Sequence, residues 1–560
     1  MSDIAALSDA YVNDLAEADP CLAAFLGISG HDGELTDYSP DGFEGRYDLT
    51  VRTLAALKIA PVVSDADRIG ASVLRERLEV EVALADAGTH MELNAMDSPP
   101  LRIRQAIEVL DQGADTAWPE LSARVRAIPA ALAGLRQTLL HARLQKRLSA
   151  VRQLVGCATE ARIFTEYLTS LVPRCPQMDF ADDVARANRS LLDLSRFLVD
   201  ELAPHAPTRD ALGTDRYLLA TRNFLGSNLD LLETYEWGWS ELRHLEEHMT
   251  GIAGQILPGQ PLPAVYAALD ADETHHITGA ANFRSWIQDL ADRTIDDLAG
   301  VHFDIPEALR KIDCRIPTVP GSAYYLAPSE DLNRPGTIWW HVPDADVITW
   351  TALGTLFHEG VPGHHLQLGA NILNSNRLNR FQRISAELHP GHSEGWALYA
   401  ERLMDELGFY RTPAHRLGMM AGGQQLRTAR IILDIGLHLQ LPIPRGAGFH
   451  DGERWTPRLA REFLASRCGS MGGDSFVEFE IDRYLGCPGQ AITYKIGERV
   501  WMHAREQAKT RHGARFDLRA FHSTALDLGP MGLDLLAAEL ASWSPPSEAQ
   551  SQQRSAVTGS

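Results

Sequence analysis

Two short segments of the chain contain the side chains that a hydrolytic metal site requires. Residues 355–367 read TLFHEGVPGHHLQ, and residues 393–401 read SEGWALYAE. Two imidazoles and one carboxylate can hold a zinc ion and leave one coordination position open for water. A further carboxylate beside the first histidine can take the proton of that water. We therefore take His358 as a metal ligand and Glu359 as the catalytic base.

The spacing of the histidines differs from that of the common HExxH helix, in which the two ligands are four residues apart. Four residues after His358 the chain has Pro362, which cannot bind a metal and removes a helical N–H donor. We expect Pro362 and Gly363 to form a bulge or kink that absorbs two residues and brings His364 to the second ligand position. For His365 to reach that position, three residues would have to be absorbed, so we prefer His364 as the ligand. We give His365 a catalytic role beside the metal or the substrate.

The third ligand is expected on a downstream helix, as in zinc hydrolases that use two histidines and one glutamate. Glu394 fits this position. Glu401 follows seven residues later on the same helical face and could accept a hydrogen bond from a ligating imidazole. Pairing of Glu401 with Arg402 or with solvent is the alternative. His389 and His392 precede Glu394 closely and are further candidates for the site.

A polar stripe follows on the next long helical pattern. Arg427, Arg430, Asp434 and His438 recur at three- and four-residue spacings and so share one helical face. A buried polar stripe is costly unless its members pair or face a polar cleft. One interpretation is a charged network beside the active site in which an arginine binds a substrate carboxylate; the other is a structural salt bridge between helices.

Tyrosines supply the candidate donors for the oxyanion that forms when water attacks a carbonyl, because a hydroxyl donates without carrying charge. Tyr494 is the first choice and Tyr484 the second, although either could be a core tyrosine. Lys495 is included with Tyr484 among the candidate substrate-binding residues. Tyr324 and Tyr325 lie in an apparent edge strand that could hold a peptide by backbone hydrogen bonds.

The elements that would position these residues are mainly helical. Amphipathic patterns fill residues 1–310, which we interpret as an N-terminal helical lobe. β-branched and aromatic residues between turn formers predict a small sheet at 311–345, before a helical metal-binding lobe at 346–543. The polar residues 544–560 predict a disordered tail. One long apolar stripe illustrates the helical pattern: Leu121, Val125, Ile128, Leu132, Leu135 and Leu139.

Composition limits the classes of partner. The net charge of −22 argues against nucleic acid, which requires a clustered basic surface. The six cysteines form no CxxC pair, which is typical of free thiols in a reducing compartment. No apolar run reaches the roughly 20 residues of a membrane span, and the acidic N-terminus lacks the features of a secretory signal. We expect a cytoplasmic protein, with a homodimer kept as a candidate assembly.

The chain resembles the large bacterial domain-of-unknown-function family 885 over nearly its whole length. The resemblance is strongest at HEGVPGHHLQ, EGWALYAERL, RTARIILDIGLH and RYLGCPGQAITYKIG. Members of that family look like relatives of the helical gluzincin peptidases. The resemblance implies a mainly α, two-lobed body with a deep central cleft, a small sheet near a zinc site, and hydrolysis of peptide or other amide bonds. It also implies His358, His364 or His365, and Glu394 as ligands, with Glu359 as base.

Our hypothesis is therefore a Zn²⁺-dependent hydrolase of a small peptide or amide substrate. One alternative is a non-haem iron oxygenase, because two histidines and one carboxylate also form its metal site. The other is a catalytically silent binding protein on the peptidase scaffold. The helical pattern counts against the oxygenase, and the complete set of ligands and base counts against the silent protein.

Overall fold

The computed structural model describes residues 2–111, 116–175, 177, 179–317, 323–328, 335–342, 345–468 and 473–545. The chain forms two compact units. The first comprises Met1–Asn223, Asn379–Phe381 and Asp482–Pro488, and the second comprises Phe224–Leu378, Gln382–Ile481 and Gly489–Ser560. The predicted tail at 544–560 lies outside the described residues from 546 onward.

The boundary between the units lies after Asn223 and not at residue 310, where we predicted it. The long helix at Leu231–Ile256 belongs to the second unit, where Gly238 packs closely on Ile431. Apolar stripes look alike in the helices of both units, so patterning could not separate them. The change of composition near residue 311 marks the start of a sheet inside the second unit.

The core of the first unit is formed by apolar stripes along its helices. The stripe predicted from Leu121 to Leu139 is buried in this core. Ser39 and Ser98 each cap a helix that has proline in its first turn, so the Ser-Pro pairs of the sequence mark helix N-termini. The helices that begin in this unit are α1 Asp3–Ala18, α2 Pro20–Phe25, α3 Pro40–Ile59, α4 Asp65–Asp86, α5 Pro99–Glu108, α6 Trp118–Leu144, α7 Val151–Leu171, α8 Phe180–Arg196 and α9 Thr214–Leu225.

The second unit contains most of the remaining helices, and the structure is mainly helical, with 70% of the described residues in helices. This confirms the predicted mainly α class. The helices are α10 Leu231–Ile256, α11 Leu262–Asp270, α12 Ala280–Leu298, α13 Ala352–Glu359, α14 His364–Leu373, α15 Arg380–Ile384, α16 Pro390–Glu406, α17 Pro413–Met419, α18 Leu426–Leu439, α19 Pro457–Cys468, α20 Gly473–Gly486, α21 Thr493–His512, α22 Leu518–Asp527 and α23 Leu533–Ala541. Within the described ranges, no helix is both long and apolar enough to cross a membrane.

Two small sheets accompany these helices. Strands β2 (Ile312–Arg315), β3 (Tyr324–Leu326) and β4 (Gly336–Trp339) form one sheet with β4 in the centre, parallel to β2 and antiparallel to β3. This sheet falls within the predicted 311–345. Strands β1 (His276–Thr278) and β5 (Asp346–Ile348) pair antiparallel in a second sheet. Sequence patterning missed it, because three-residue strands carry too little alternation to be recognised.

Helices α16 and α21 approach each other closely through glycine. A Cβ atom on Gly395 would overlap the backbone of Gly497, and a Cβ atom on Gly497 would overlap the carbonyl of Gly391. Only glycine allows the two backbones to come this near. Glu394 is next to one crossing point and Tyr494 lies one turn before the other. The crossing therefore sets the distance between two of the predicted site residues.

Substitution Gly497→Ala should lower the free energy of unfolding by about 1–3 kcal/mol or more, because the new methyl group forces α16 and α21 apart. Gly251→Ala is the matched control. Gly251 lies on α10 with open space around it, so alanine there should raise stability by about 0.4–1 kcal/mol. Chemical denaturation of both variants checks this, and equal stability of the two would contradict the close crossing.

Candidate metal centre

The distortion predicted at Pro362 and Gly363 is present, as a break between two helices in place of a bulge or kink within one helix. Helix α13 ends at Glu359 and α14 begins at His364, with a cis Val361–Pro362 peptide bond between them. Gly363 has no room for a Cβ atom, which would overlap the carbonyl of His358. The indole N–H of Trp396 donates to the carbonyl of Pro362 at 2.8 Å and ties this break to α16.

The break brings His364 beside His358 and Glu394. One potential ligand atom from each of the three residues lies within 4.8 Å of the others. The Oε2 atom of Glu394 is 3.2 Å from Nε2 of His358 and 3.5 Å from Nε2 of His364. Ligand atoms of a tetrahedral zinc at about 2.1 Å would be roughly 3.4 Å apart. The donor set and these distances therefore fit zinc.

Glu401 holds the ring of His358 from the opposite side. Its Oε1 atom is 2.8 Å from Nδ1 of His358, and both residues are buried. A carboxylate can only accept here, so Nδ1 donates to Glu401, and Nε2 is the atom that a metal would bind after displacing its proton. Glu401 thus lies where the sequence predicted an orienting acceptor, and the described contacts do not pair it with Arg402.

The charges around His358 favour a cation. Burial disfavours the imidazolium, but hydrogen bonds to Glu394 and Glu401 outweigh burial and raise the pKa of His358 to about 10. Burial likewise works against ionised Glu394, yet hydrogen bonds from His358 and His364 hold its pKa well below the usual range. A metal ion would supply the positive charge that the proton on His358 supplies in its absence.

Glu359, the predicted base, ends α13 directly after His358. Burial raises the pKa of Glu359 above its usual value, while the neighbouring His358 and His364 oppose the rise. A raised pKa suits a carboxylate that must take a proton near neutral pH and release it again.

His365 has a different environment from His364. It is completely buried, with Nε2 2.9 Å from the Leu309 carbonyl and Nδ1 2.9 Å from the Tyr325 hydroxyl. A carbonyl only accepts, so Nε2 donates to Leu309 and Nδ1 accepts from Tyr325. Burial lowers the pKa of His365 to about 4. Its ring therefore joins α14 to the sheet and to Leu309, and the predicted catalytic role is not supported.

Tyr494 lies against the metal-binding group. Its ring is stacked on that of His358, with centroids 6.1 Å apart and planes inclined by 22°. The guanidinium carbons of Arg427 and Arg430 lie 5.3 Å and 4.9 Å from its ring centroid. These contacts hold the ring beside His358, one of the predicted ligands.

Two of the predicted substrate-binding cations are paired within the protein. Arg430 forms a two-pronged ion pair with Glu480, both N–O distances being 2.8 Å, and both residues are buried. Lys495 is fully buried between Glu498 at 2.6 Å and Glu241 at 3.0 Å. Buried charges require such partners. Arg430 and Lys495 therefore have structural roles. For Arg430, this agrees with the salt-bridge alternative that we gave for the polar stripe.

Asp434 and His438 support the backbone next to α21. One carboxylate oxygen of Asp434 accepts the N–H of Gly489 at 2.9 Å, and the other lies 3.6 Å from Nε2 of His438. Neither residue belongs to the metal-binding group. Tyr484 is fully buried and belongs to the segment Asp482–Pro488 of the first unit.

The remaining candidates are not members of the metal-binding group found among the described residues. Tyr324, on the edge strand β3, is 48% exposed and stacks on Trp339, while the hydroxyl of Tyr325 is engaged with His365. His389 and His392 are buried at the start of α16. His389 donates from Nδ1 to the Ser385 carbonyl at 2.9 Å, and Nδ1 of His392 accepts from Gln367 at 3.0 Å.

Sequence reasoning missed Glu387, which lies on the turn before α16. Its side chain is exposed at the surface, yet the protein around it raises its pKa; the charge of His364 opposes this rise, and those of Glu394 and Glu359 add to it. An isolated glutamate on a turn carries no pattern that could have revealed this proximity.

A family model described as "Bacterial protein of unknown function (DUF885)" matches residues 20–540. The chain belongs to this family. None of the curated proteins compared matches the chain. The relationship of the DUF885 family to gluzincin peptidases is not part of this match.

Two solved structures share the fold. A protein of Colwellia psychrerythraea, described as a "putative lipoprotein", aligns with a TM-score of 0.81 and 18% identity over 96% of this chain and 98% of its own. A second protein, from Shewanella oneidensis, is described as a "putative lipoprotein of unknown function". It aligns with a TM-score of 0.73 and 18% identity over 96% of this chain and 100% of its own. At this identity the likeness shows the fold alone.

In this DUF885 protein, His364→Gln should abolish stoichiometric zinc binding, whereas His365→Gln should retain it. The second change removes two buried hydrogen bonds and should lower the free energy of unfolding by about 1–3 kcal/mol. Metal analysis of both purified variants, with denaturation curves, checks the assignment. If the His365 variant loses zinc and the His364 variant retains it, then His365 and not His364 is the ligand.

Metal affinity should rise with pH up to about pH 10. His358 is protonated below the pKa of about 10 that it has without metal, and only the neutral ring binds zinc, so binding displaces a proton. The apparent affinity should increase by up to about tenfold per pH unit for each proton displaced. Calorimetric titration with zinc in buffers of different ionisation enthalpy measures the number of protons. Binding without proton release would contradict the raised pKa.

Proposed function

We propose that this protein is a zinc-dependent hydrolase that cleaves a peptide-like or other amide bond. The observation that carries the proposal is the convergence of His358, His364 and Glu394 within 4.8 Å, with Glu359 directly beside the first ligand. Two imidazoles and one carboxylate leave a coordination position open, which is the feature of catalytic zinc sites.

Each residue then has a defined role. His358, His364 and Glu394 would hold the metal, and Glu401 would keep the His358 ring in the required tautomer. Zinc, when bound, acidifies water and polarises the substrate carbonyl. Glu359 takes the proton of the attacking water and passes it to the leaving nitrogen. The Tyr494 hydroxyl donates a hydrogen bond to the carbonyl oxygen as negative charge develops there.

The choice of an amide substrate rests on the resemblance of the histidine and glutamate motifs to those of gluzincin peptidases. A gluzincin-like body with a central cleft belongs to the same proposal. A small peptide or amide as substrate, the absence of nucleic acid as a partner, and cytoplasmic location are predictions that follow from composition and motif. No observation favours the iron oxygenase or the silent binding protein as a second candidate.

Substitution Glu359→Gln should reduce kcat by about 10²–10⁴-fold while zinc remains bound, because the base is lost and the ligands are unchanged. Hydrolysis of a mixed library of peptides and acyl-amino acids by the zinc-loaded protein provides the assay. Glu307→Gln is the matched control, since the Glu307 side chain is 89% exposed.

Three results would contradict the proposal. They are full activity of the Glu359 variant, purification of the parent with stoichiometric iron in place of zinc, and absence of hydrolysis across the library by protein that holds one zinc ion. The control variant should match the parent in both zinc content and rate.

A further inference from the structure

Arg427 differs from the other cations near Tyr494 in having no carboxylate partner among the described residues. Arg430, one turn later on α18, is neutralised by Glu480, and Lys495 is neutralised by Glu241 and Glu498. Arg427 makes one hydrogen bond, from Nη1 to the carbonyl of Gly422. Its Nε atom is buried and has no acceptor in the part of the chain that the structure describes.

The position of Arg427 connects it with the metal-binding group. Its guanidinium carbon lies 5.3 Å from the centroid of the Tyr494 ring, and that ring stacks on His358. The positive charge of Arg427 also acts on the Glu359 carboxylate. The guanidinium is partly buried and has an unsatisfied N–H, which favours a carboxylate ligand that reaches this edge.

We propose that Arg427 binds a carboxylate of the substrate, so that the preferred substrates are amides of amino acids whose own carboxyl group is free. This inference rests on the proposed hydrolase function and deepens it by naming the substrate class and the residue that selects it. Arg430, which the sequence could not distinguish from Arg427, has no part in this selection.

The surrounding charges make the selection stringent. Glu359, Glu387, Glu394 and Glu401 are all carboxylates, so an anionic substrate is repelled wherever its charge is not matched. Arg427 provides the match beside Tyr494. A carboxylate held there places the adjoining amide at a fixed distance from Glu359, and water adds to its carbonyl carbon as the C–N bond breaks and the nitrogen receives the proton. Cleavage would therefore be confined to the C-terminal end of a peptide.

The test compares free acids with amides on the zinc-loaded protein. A mixed library of N-acetyl dipeptides is prepared in two forms, with a free C-terminal carboxylate and with a C-terminal carboxamide. The parent should hydrolyse the acids with a kcat/KM about 10- to 100-fold higher, as expected for one charge-assisted hydrogen-bonded pair. Arg427→Gln should remove this preference by lowering kcat/KM for the acids, mainly through KM, to the value for the amides.

Arg499→Gln is the matched control, because Arg499 pairs with Glu233 at the surface. It should keep the preference of the parent. Equal rates for acids and amides in the parent, or an equal loss of both in the Arg427 variant, would overturn the proposal. A zinc content and a denaturation curve equal to those of the parent show that the Arg427 variant is folded.

A binding experiment separates this proposal from the proposed function. The twenty N-acetyl amino acids and their carboxamides are tested as ligands of the zinc-loaded parent and the Arg427 variant by thermal shift. If the acids stabilise the parent and the amides do not, and if Arg427→Gln loses this difference, the role of Arg427 is supported even when no substrate is cleaved. Failure of every acid to exceed its amide overturns that role even if hydrolysis is found.

Discussion

His358 lies between two carboxylates that both belong to α16, and this interaction determines the rest of the site. Glu394 and Glu401 are separated by seven residues, about two helical turns, so one helix presents both to a single imidazole. The arrangement fixes the His358 tautomer and aims Nε2 at Glu394. It requires α13 to lie against α16, and it requires the break at Gly360–Gly363 that returns His364 to the same place.

The same interaction organises the charges of the surroundings. Carboxylates dominate near the ligands, so a bound cation is favoured and an unpaired anion is not. Buried cations elsewhere are neutralised in place, as Lys495 is by Glu241 and Glu498. Arg427 is the exception among the described cations near Tyr494. In the proposed function, the acidic centre would hold the metal and the guanidinium beside it would bind a carboxylate of the substrate.

The sequence predicted the helical class, the sheet at 311–345 and the residues that converge at the centre, because motif spacing and apolar periodicity are local properties. It did not predict that Arg430 and Lys495 are paired, because their partners Glu480 and Glu241 are distant in the chain. It placed the boundary between units at the sheet, since helices of both units carry similar stripes. The sequence predicted a bulge or kink at Pro362 and Gly363, where the packing of Gly363 against the end of α13 is accompanied by a complete break in the helix.

The central claim is that His358, His364 and Glu394 together hold a catalytic zinc ion. Anomalous diffraction at the zinc absorption edge, from crystals of the zinc-loaded protein, tests it most directly. The account predicts one zinc peak bonded to Nε2 of His358, Nε2 of His364 and a carboxylate oxygen of Glu394 at about 2.0–2.2 Å. A zinc ion bound to His365 in place of His364, or no ion at these three residues, would contradict it.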